Sequence, residues 1–526
     1  MSSERGTGPT PNVDGAMVKR LAEGVAVPLN RPRIEVLSPF TEEKIGEVPE
    51  ATPDDTVAAV DRARAAQTSW AQTPISRRVA IMSRFHDLLI DRADSALDII
   101  QLEAGKARIP AFEEVFDTIA TTRYYLKTGP GLLRRKRRAV SFPGMTKAYE
   151  YRHPRGVVGS ITPWNFPFTL AISDIIPALL AGNTVVAKPD EKTPFSLLYG
   201  VSLLREAGLP EDALQVVTGQ GDVVGPALTD EVDFVMFTGS TAVGRQVAAR
   251  TGERLIASSM ELGGKNAAIV VADADLDKAV PGIARASYAN GGQLCISMER
   301  VYVDESIRTE FTDRFVEYTR QIPMNRSFDF SSGLSSMITR EHLESVHTHV
   351  EDAVAAGATL LTGGKPRPDV GPLFYEATVL TDVDEAMLLC RSETFGPVVS
   401  IYGFTDIDTA VVAANDSHLG LNFSVWTRDH RRGVELATRL EAGTVGVNDG
   451  YAAAWSSYDA PMGGMKASGM GRRHGAEGLL KYTESQTVAV QRLGPAFAPP
   501  GRMGYDTYQR LLGRVLKLAR RAPFYK

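Results

Sequence analysis

The sequence predicts an α/β protein built on two parallel sheets, and three observations carry that expectation. Between residue 156 and about residue 275, the strand-like runs Val157 to Ile161, Thr184 to Ala187, Phe234 to Phe237 and Ala267 to Val271 alternate with helical stretches. Such alternation marks a parallel sheet with helices on both faces, which holds ligands at the carboxyl ends of its strands. A second alternation begins near Cys295 and includes Arg300 to Val303, Val398 to Tyr402 and Val445 to Asn448. At 526 residues, the chain is long enough to divide into two or three domains with separate cores.

The elements follow in order. Residues 1–33 are polar and rich in Ser, Gly and Pro, without the apolar core of a signal peptide, and read as a flexible leader. Ile34-Glu-Val-Leu and Lys44-Ile-Gly-Glu-Val flank a turn and read as a hairpin. A helix then begins at Pro53: Thr52 caps it, Asp54 and Asp55 complement its dipole, and Val57, Val60 and Ala63 share one face. The basic run Arg134 to Arg138 reads as a solvated connector. In the tail, seven Lys or Arg between Arg502 and Lys526 face Asp506 alone. Tyr508, Leu511, Leu512, Val515 and Leu518 form an apolar stripe there at helical spacing, with Arg510, Arg514, Lys517 and Arg521 mostly opposite. Such a helix suits an anionic membrane surface, or docking on the protein's own oligomer.

Composition narrows the function classes. A net charge of -5 offers no global basic field for nucleic acid. No apolar run reaches the ~20 residues of a membrane span. The eight histidines form no H-E-x-x-H or Cys/His cluster, so no metal site is expected. Two cysteines give no disulfide framework, and Cys390, in Met-Leu-Leu-Cys, reads as core packing. A reducing cytoplasm suits the other, Cys295, as a reactive thiol.

Cys295 stands among small residues in Asn290-Gly-Gly-Gln-Leu-Cys-Ile-Ser, 34 positions after Glu261 in Met260-Glu-Leu-Gly-Gly-Lys-Asn. A thiolate can add to an aldehyde carbonyl, and the thioester left after oxidation needs a carboxylate to activate water. Four segments support that pairing. Ile161-Thr-Pro-Trp-Asn-Phe-Pro fixes Asn165, a neutral donor suited to an oxyanion. Asn183 to Pro194 is a short apolar strand ending in Lys188 and Glu191, both able to address sugar hydroxyls. Phe237-Thr-Gly-Ser-Thr-Ala-Val-Gly leads a strand into a helix N-terminus, a binding place for phosphate oxygens, although it lacks the G-x-G-x-x-G spacing. Glu393-Thr-Phe-Gly-Pro puts a carboxylate and an aromatic ring on a loop before another strand.

In order and spacing, these segments resemble the aldehyde dehydrogenase superfamily from about residue 34 to about residue 490, closest to a bacterial succinate-semialdehyde dehydrogenase-like branch. The resemblance implies a Rossmann-type parallel-sheet cofactor domain (34–138 and 156–262), a second α/β catalytic domain (263–481) and a small oligomerisation β-element (139–155 and 482–492), outside which residues 493–526 form the basic amphipathic tail. It implies Cys295 as nucleophile, Glu261 as general base, and Asn165 with the Cys295 amide as oxyanion hole. Ile161, Trp164, Lys188, Glu191, Gly221, Gly239, Ser240, Gly244 and Leu262 would line the adenosine and pyrophosphate site of NAD or NADP, with Glu393 and Phe395 at the nicotinamide end. Glu191 favours NAD, because a carboxylate there would repel a 2′-phosphate. A homodimer or homotetramer is implied, in the cytoplasm and partly membrane-associated if the tail binds lipid.

The chain departs from the family pattern in three places. The family's glutamate after Gly-x-Gly-Arg is Arg473, the arginines that hold the succinate semialdehyde carboxylate are Ser173 and Ala289, and the tail is additional. Succinate semialdehyde is therefore expected alongside uncharged aliphatic or aromatic aldehydes, unless another arginine, such as Arg123, reaches the channel. Glu261 argues against acyl transfer to coenzyme A. A non-catalytic binding protein on this fold would be expected to lose the nucleophile or base, and both remain.

Overall fold

The computed structural model describes residues 11–141, 145–494 and 498–520. A six-stranded sheet runs in the order Gly469–Met470, Ala257–Glu261, Phe234–Thr238, Val157–Ile161, Thr184–Lys188, Leu214–Val216. All its neighbours pair in parallel except Gly469–Met470, which lies antiparallel to Ala257–Glu261. Its central strands are buried on both faces, as Val/Ala-rich runs covered by helices must be. A seven-stranded sheet follows: Thr359–Thr362, Thr378–Thr381, Val398–Phe404, Met298–Asp304, Asn266–Val270, Asn422–Trp426, Thr444–Val447.

The run near Ala267 belongs to this second sheet, so the first alternation ends one strand earlier than the sequence reading placed it. The first sheet instead gains Leu214–Val216 and Ala257–Glu261. The hairpin pairs Arg33–Leu37 with Lys44–Pro49, and the helix Pro53–Gln72 starts in a capping box between Thr52 and Asp55.

Two expectations are corrected. Within the expected flexible leader, Gly15–Ala22 is a helix capped by Asp14, and Val18, Leu21 and Ala22 enter the core of the first domain. Their i, i+3, i+4 spacing puts all three on one face of barely two turns, too short to stand out in a polar stretch. A Cβ on Gly46 of the hairpin would lie 2.3 Å from the Val18 side chain, so the hairpin closes directly over this helix. The basic run is also no connector: Lys136–Arg138 is a strand against Thr146–Pro154, with Arg138 ion-paired to Glu150 and Arg135 over the Tyr149 ring. Thr146–Pro154 pairs on its other side with Thr483–Gln491 across nine registered residues.

Candidate active site and cofactor cleft

Cys295 sits on a loop that a left-handed turn makes possible. Asn290, Gly291 and Gly292 have φ of 53°, 65° and 72°, and a Cβ on Gly292 would stand 2.0 Å from the Gly396 carbonyl oxygen. The loop is then pinned. Gln293 donates to Asn290 and Ser336 carbonyls at 2.9 Å, and Asn266 Nδ2 donates to the carbonyls of Cys295 and Ser297 at 2.8 and 2.7 Å. Asn165 is buried against the same loop, donating Nδ2 to the Gln293 carbonyl at 3.1 Å. Its amide has a second N–H to offer. Cys295 is half-buried between the buried Leu294 and Ile296.

Glu261 ends the strand Ala257–Glu261, and Gly263-Gly264 carries the chain from it past the Cys295 loop into the strand Asn266–Val270. A Cβ on Gly264 would lie 2.4 Å from the Cys295 carbonyl oxygen, and one on Gly263 would lie 2.4 Å from Glu393 Oε2. Only glycine fits between them. Glu261 is buried, and its Oε1 has no hydrogen-bond partner. Burial pushes its carboxyl up to about 7 against the opposing pull of Arg473 and Lys481. The Cys295 thiol is pushed up to about 12 by burial and by the charges of Glu393 and Glu261.

Glu393 accepts from the Gly264 N–H at 2.9 Å. Its loop is held from below, where Lys265 pairs with Glu299, whose carboxylate accepts from the Thr394 and Phe395 amides. The Phe395 ring meets Trp164 edge-on at 5.5 Å, and His342 contacts both rings.

Beyond Trp164 opens a cleft of about 970 Å³ at the carboxyl ends of the first sheet's strands. Ile161, Trp164, Lys188, Glu191, Gly221, Gly239 and Ser240 line it as expected. Gly244 and Leu262 do not: they pack on each other, and a Cβ on Gly244 would stand 2.3 Å from the Leu262 side chain. Ser240 caps the helix Thr241–Glu253, leaving an N-terminus with free amides facing the cleft. Lys188 and Lys192 both reach Glu191, at 3.1 and 3.3 Å. Burial raises Glu191, but the two lysines outweigh it and hold the carboxyl below its ordinary value. Thr162, Gly225, Pro226 and Val243 also line the cleft. The Gly-Pro step inside the helix Gly221–Glu231 was the one sequence signal that could have found two of them.

On the other side of Cys295, a cavity of about 340 Å³ is walled by Phe112, Phe116, Phe166, Leu294, Ile296, Tyr451, Trp455 and Tyr458, with Glu113, Asp117, Asp449 and Arg285 among them. Neither Ser173 nor Ala289 lines this cavity, and neither does Arg123, which is exposed. Arg285 is the arginine that reaches it. Arg473, at the position of the family glutamate, is buried, ion-paired to Asp174 at 2.6 Å and hydrogen-bonded to Thr238 Oγ1 at 2.7 Å. Thr238 is the sheet partner of Glu261. Among the described residues, no cluster of His, Cys, Asp or Glu is arranged to hold a metal ion.

A pinned thiol, a buried carboxylate and a strand-end cleft are the parts of an aldehyde-oxidising enzyme, and the Aldehyde dehydrogenase family matches residues 27–488. The chain belongs to that family, whose reaction is the oxidation of an aldehyde to an acid. It is 48% identical over 494 residues to a protein of Mycolicibacterium smegmatis provisionally named succinate-semialdehyde dehydrogenase (NADP(+)), covering 94% of this chain and 95% of that one. A similarly named Mycobacterium tuberculosis protein is 48% identical over 491 residues, covering 93% and 95%. Among solved structures, an NADP-dependent enzyme of E. coli superimposes with a TM-score of 0.84 at 32% identity, over 88% of this chain and 95% of that one. The NAD+ complex of a Bacillus cereus aldehyde dehydrogenase gives 0.83 at 32%, over 88% and 93%.

Proposed function

We propose that this chain oxidises aldehydes through a Cys295 thiohemiacetal and thioester, with Glu261 as the base. The orphaned Glu261 Oε1 carries the reading, because a buried carboxylate oxygen without a partner is costly unless it serves chemistry. The raised Cys295 thiol must give its proton to solvent before it reacts, and Glu261, a nearby carboxylate whose charge it feels, stays ionised for the hydrolytic step. Once deprotonated, Sγ adds to the carbonyl carbon. The oxygen's new charge takes hydrogen bonds from the spare Asn165 N–H and the Cys295 amide. The carbon–oxygen double bond re-forms as hydride leaves, giving the thioester; NAD or NADP supplies the acceptor when bound in the cleft. Glu261 then takes a proton from water, whose oxygen adds to the thioester and expels the thiolate with the acid.

The cleft fits a dinucleotide, having a capped helix N-terminus for phosphate and Lys188 and Glu191 at a strand end. Lys188 and Glu191 would hold the adenine ribose, while Glu393 and Phe395 would orient the nicotinamide end. We favour NAD because Glu191 is ionised and faces the cleft, whereas the names of the relatives favour NADP. Comparing kcat/KM for both cofactors in wild type and Glu191→Ser decides between them. NAD should be preferred first, with NADP gaining about ten- to a hundred-fold in the mutant. A wild type that already prefers NADP removes Glu191 from that role.

The relatives' names support succinate semialdehyde as the substrate. The aromatic cavity supports a second reading, a broad range of uncharged aliphatic or aromatic aldehydes. An aldehyde panel read as NAD(P)H production tests the class and ranks the two. If no aldehyde yields acid, the catalytic reading fails. We further place the protein in the cytoplasm as a homodimer or homotetramer, with the tail helix as a peripheral membrane contact.

A further inference from the structure

We propose that Glu113 sets the charge selectivity of the substrate cavity by occupying Arg285, which would otherwise bind a substrate's distal carboxylate; this deepens, and rests on, the aldehyde-oxidising reading above. Arg285, on the helix Leu276–Tyr288, lines the aromatic cavity that ends at the residues flanking Cys295, with its side chain 57% exposed to solvent. It is the cavity's cation, and it is already engaged: its Nη2 donates to Glu113 Oε1 at 2.5 Å. The other Glu113 oxygen accepts from the Tyr451 hydroxyl at 2.8 Å, fixing the carboxylate in place.

The remaining carboxylates add no vacancy for an anion. Glu114 is spent on buried Lys106 and on the Phe168 and Thr169 amides. Asp117 accepts from Thr169 Oγ1, and Asp449 caps the Ala453 amide. A carboxylate-bearing aldehyde must therefore compete with Glu113 for Arg285 while facing Asp117 and Asp449. An uncharged aldehyde has no charge to set against these groups and can pack on the rings and aliphatic side chains of the wall. This is discrimination by a built-in competitor, which disfavours one substrate charge without contacting the reacting carbon.

Glu113→Gln tests it, since the amide keeps the shape while losing its charge: its one oxygen can still accept from Arg285, and its NH2 can donate to the Tyr451 hydroxyl oxygen. The ratio of kcat/KM for succinate semialdehyde to that for hexanal should rise at least about tenfold in Glu113→Gln. That gain should vanish in Glu113→Gln/Arg285→Gln. A ratio that stays the same in Glu113→Gln, or a gain that survives loss of Arg285, overturns the proposal. A second measurement is independent of turnover: succinate should protect Cys295 from iodoacetamide at a concentration at least about tenfold lower in Glu113→Gln than in wild type. Absence of protection in both proteins also overturns it. Failure of the aldehyde-oxidising reading itself would show differently, as no acid from either aldehyde with the succinate effect intact.

Discussion

In the role proposed for it, Glu261 serves only as a carboxylate, and its neighbours set the pH at which it becomes one. Burial and Asp174 raise it to about 7, while Arg473, Lys481 and Arg472 pull it down. Turnover should thus fall off on the acid side near neutrality, because a protonated Glu261 cannot take a proton from water. Removing positive charge must raise this carboxyl further. Arg473→Gln is expected to move the acid limb of kcat to higher pH, and Arg473→Lys to move it back. A limb that stays put in Arg473→Gln would show that Arg473 serves folding alone, a role that would appear in the melting temperature instead. Glu261→Gln should retain a pre-steady-state burst of NAD(P)H and lose turnover by about 10²–10⁴-fold. Cys295→Ala should lose the burst as well, while still quenching its tryptophan fluorescence on cofactor binding. The segments that carry Cys295, Glu261 and Asn165 were legible as backbone features because each holds glycines or prolines, and the structure brings Asn165 against the Cys295 loop. Asn266, which holds the Cys295 carbonyl, was not legible as a positioning residue, although it closes the same Glu-Leu-Gly-Gly-Lys-Asn run. Nothing local distinguishes an amide that bonds 29 residues away from a solvated one.

At the scale of elements, legibility followed the strength of local signals. The helix Pro53–Gln72 announced itself through its cap, and the hairpin through its turn. Gly15–Ala22 and Lys136–Arg138 stayed hidden because what stabilises them is distant: the hairpin covers one, and Glu150 and Tyr149 hold the other. The same three-stranded sheet ends in an edge of consequence. Thr483–Gln491 is bonded on one side to Thr146–Pro154, and beyond Thr483 all its residues are exposed, with Val488 and Val490 at 37% and 47%. A long, partly apolar edge strand is a template for pairing with another copy. Introducing lysine at both valines should shift the protein to a smaller species by light scattering and leave the hairpin-covered first domain folded. An unchanged mass would exclude this face from the assembly.

On the scale of the whole molecule, the least expected feature is the separation of charge between the body and its end. The chain carries -5 overall, yet the helix Tyr505–Ala519 presents Arg510, Arg514 and Lys517 to solvent, followed by exposed Arg520. Tyr505, Leu511, Val515, Leu516 and Leu518 on its other side are 40–73% exposed, while Tyr508 and Leu512 are half-buried. Arg521, expected on the basic side, lies outside the described residues. Among the described residues no helix is long and apolar enough to cross a membrane. An amphipathic helix of this kind can lie in an interface, where each basic residue adds about 1 kcal/mol toward an anionic surface and the apolar side adds its burial. Full-length protein should therefore sediment with vesicles containing phosphatidylserine and not with neutral ones, and the attraction should weaken as salt shortens its range. Deleting residues from 498 onward should abolish sedimentation while hexanal oxidation and the oligomer persist. If the full-length protein ignores vesicles and the truncation breaks the oligomer, the apolar side covers a neighbouring subunit instead.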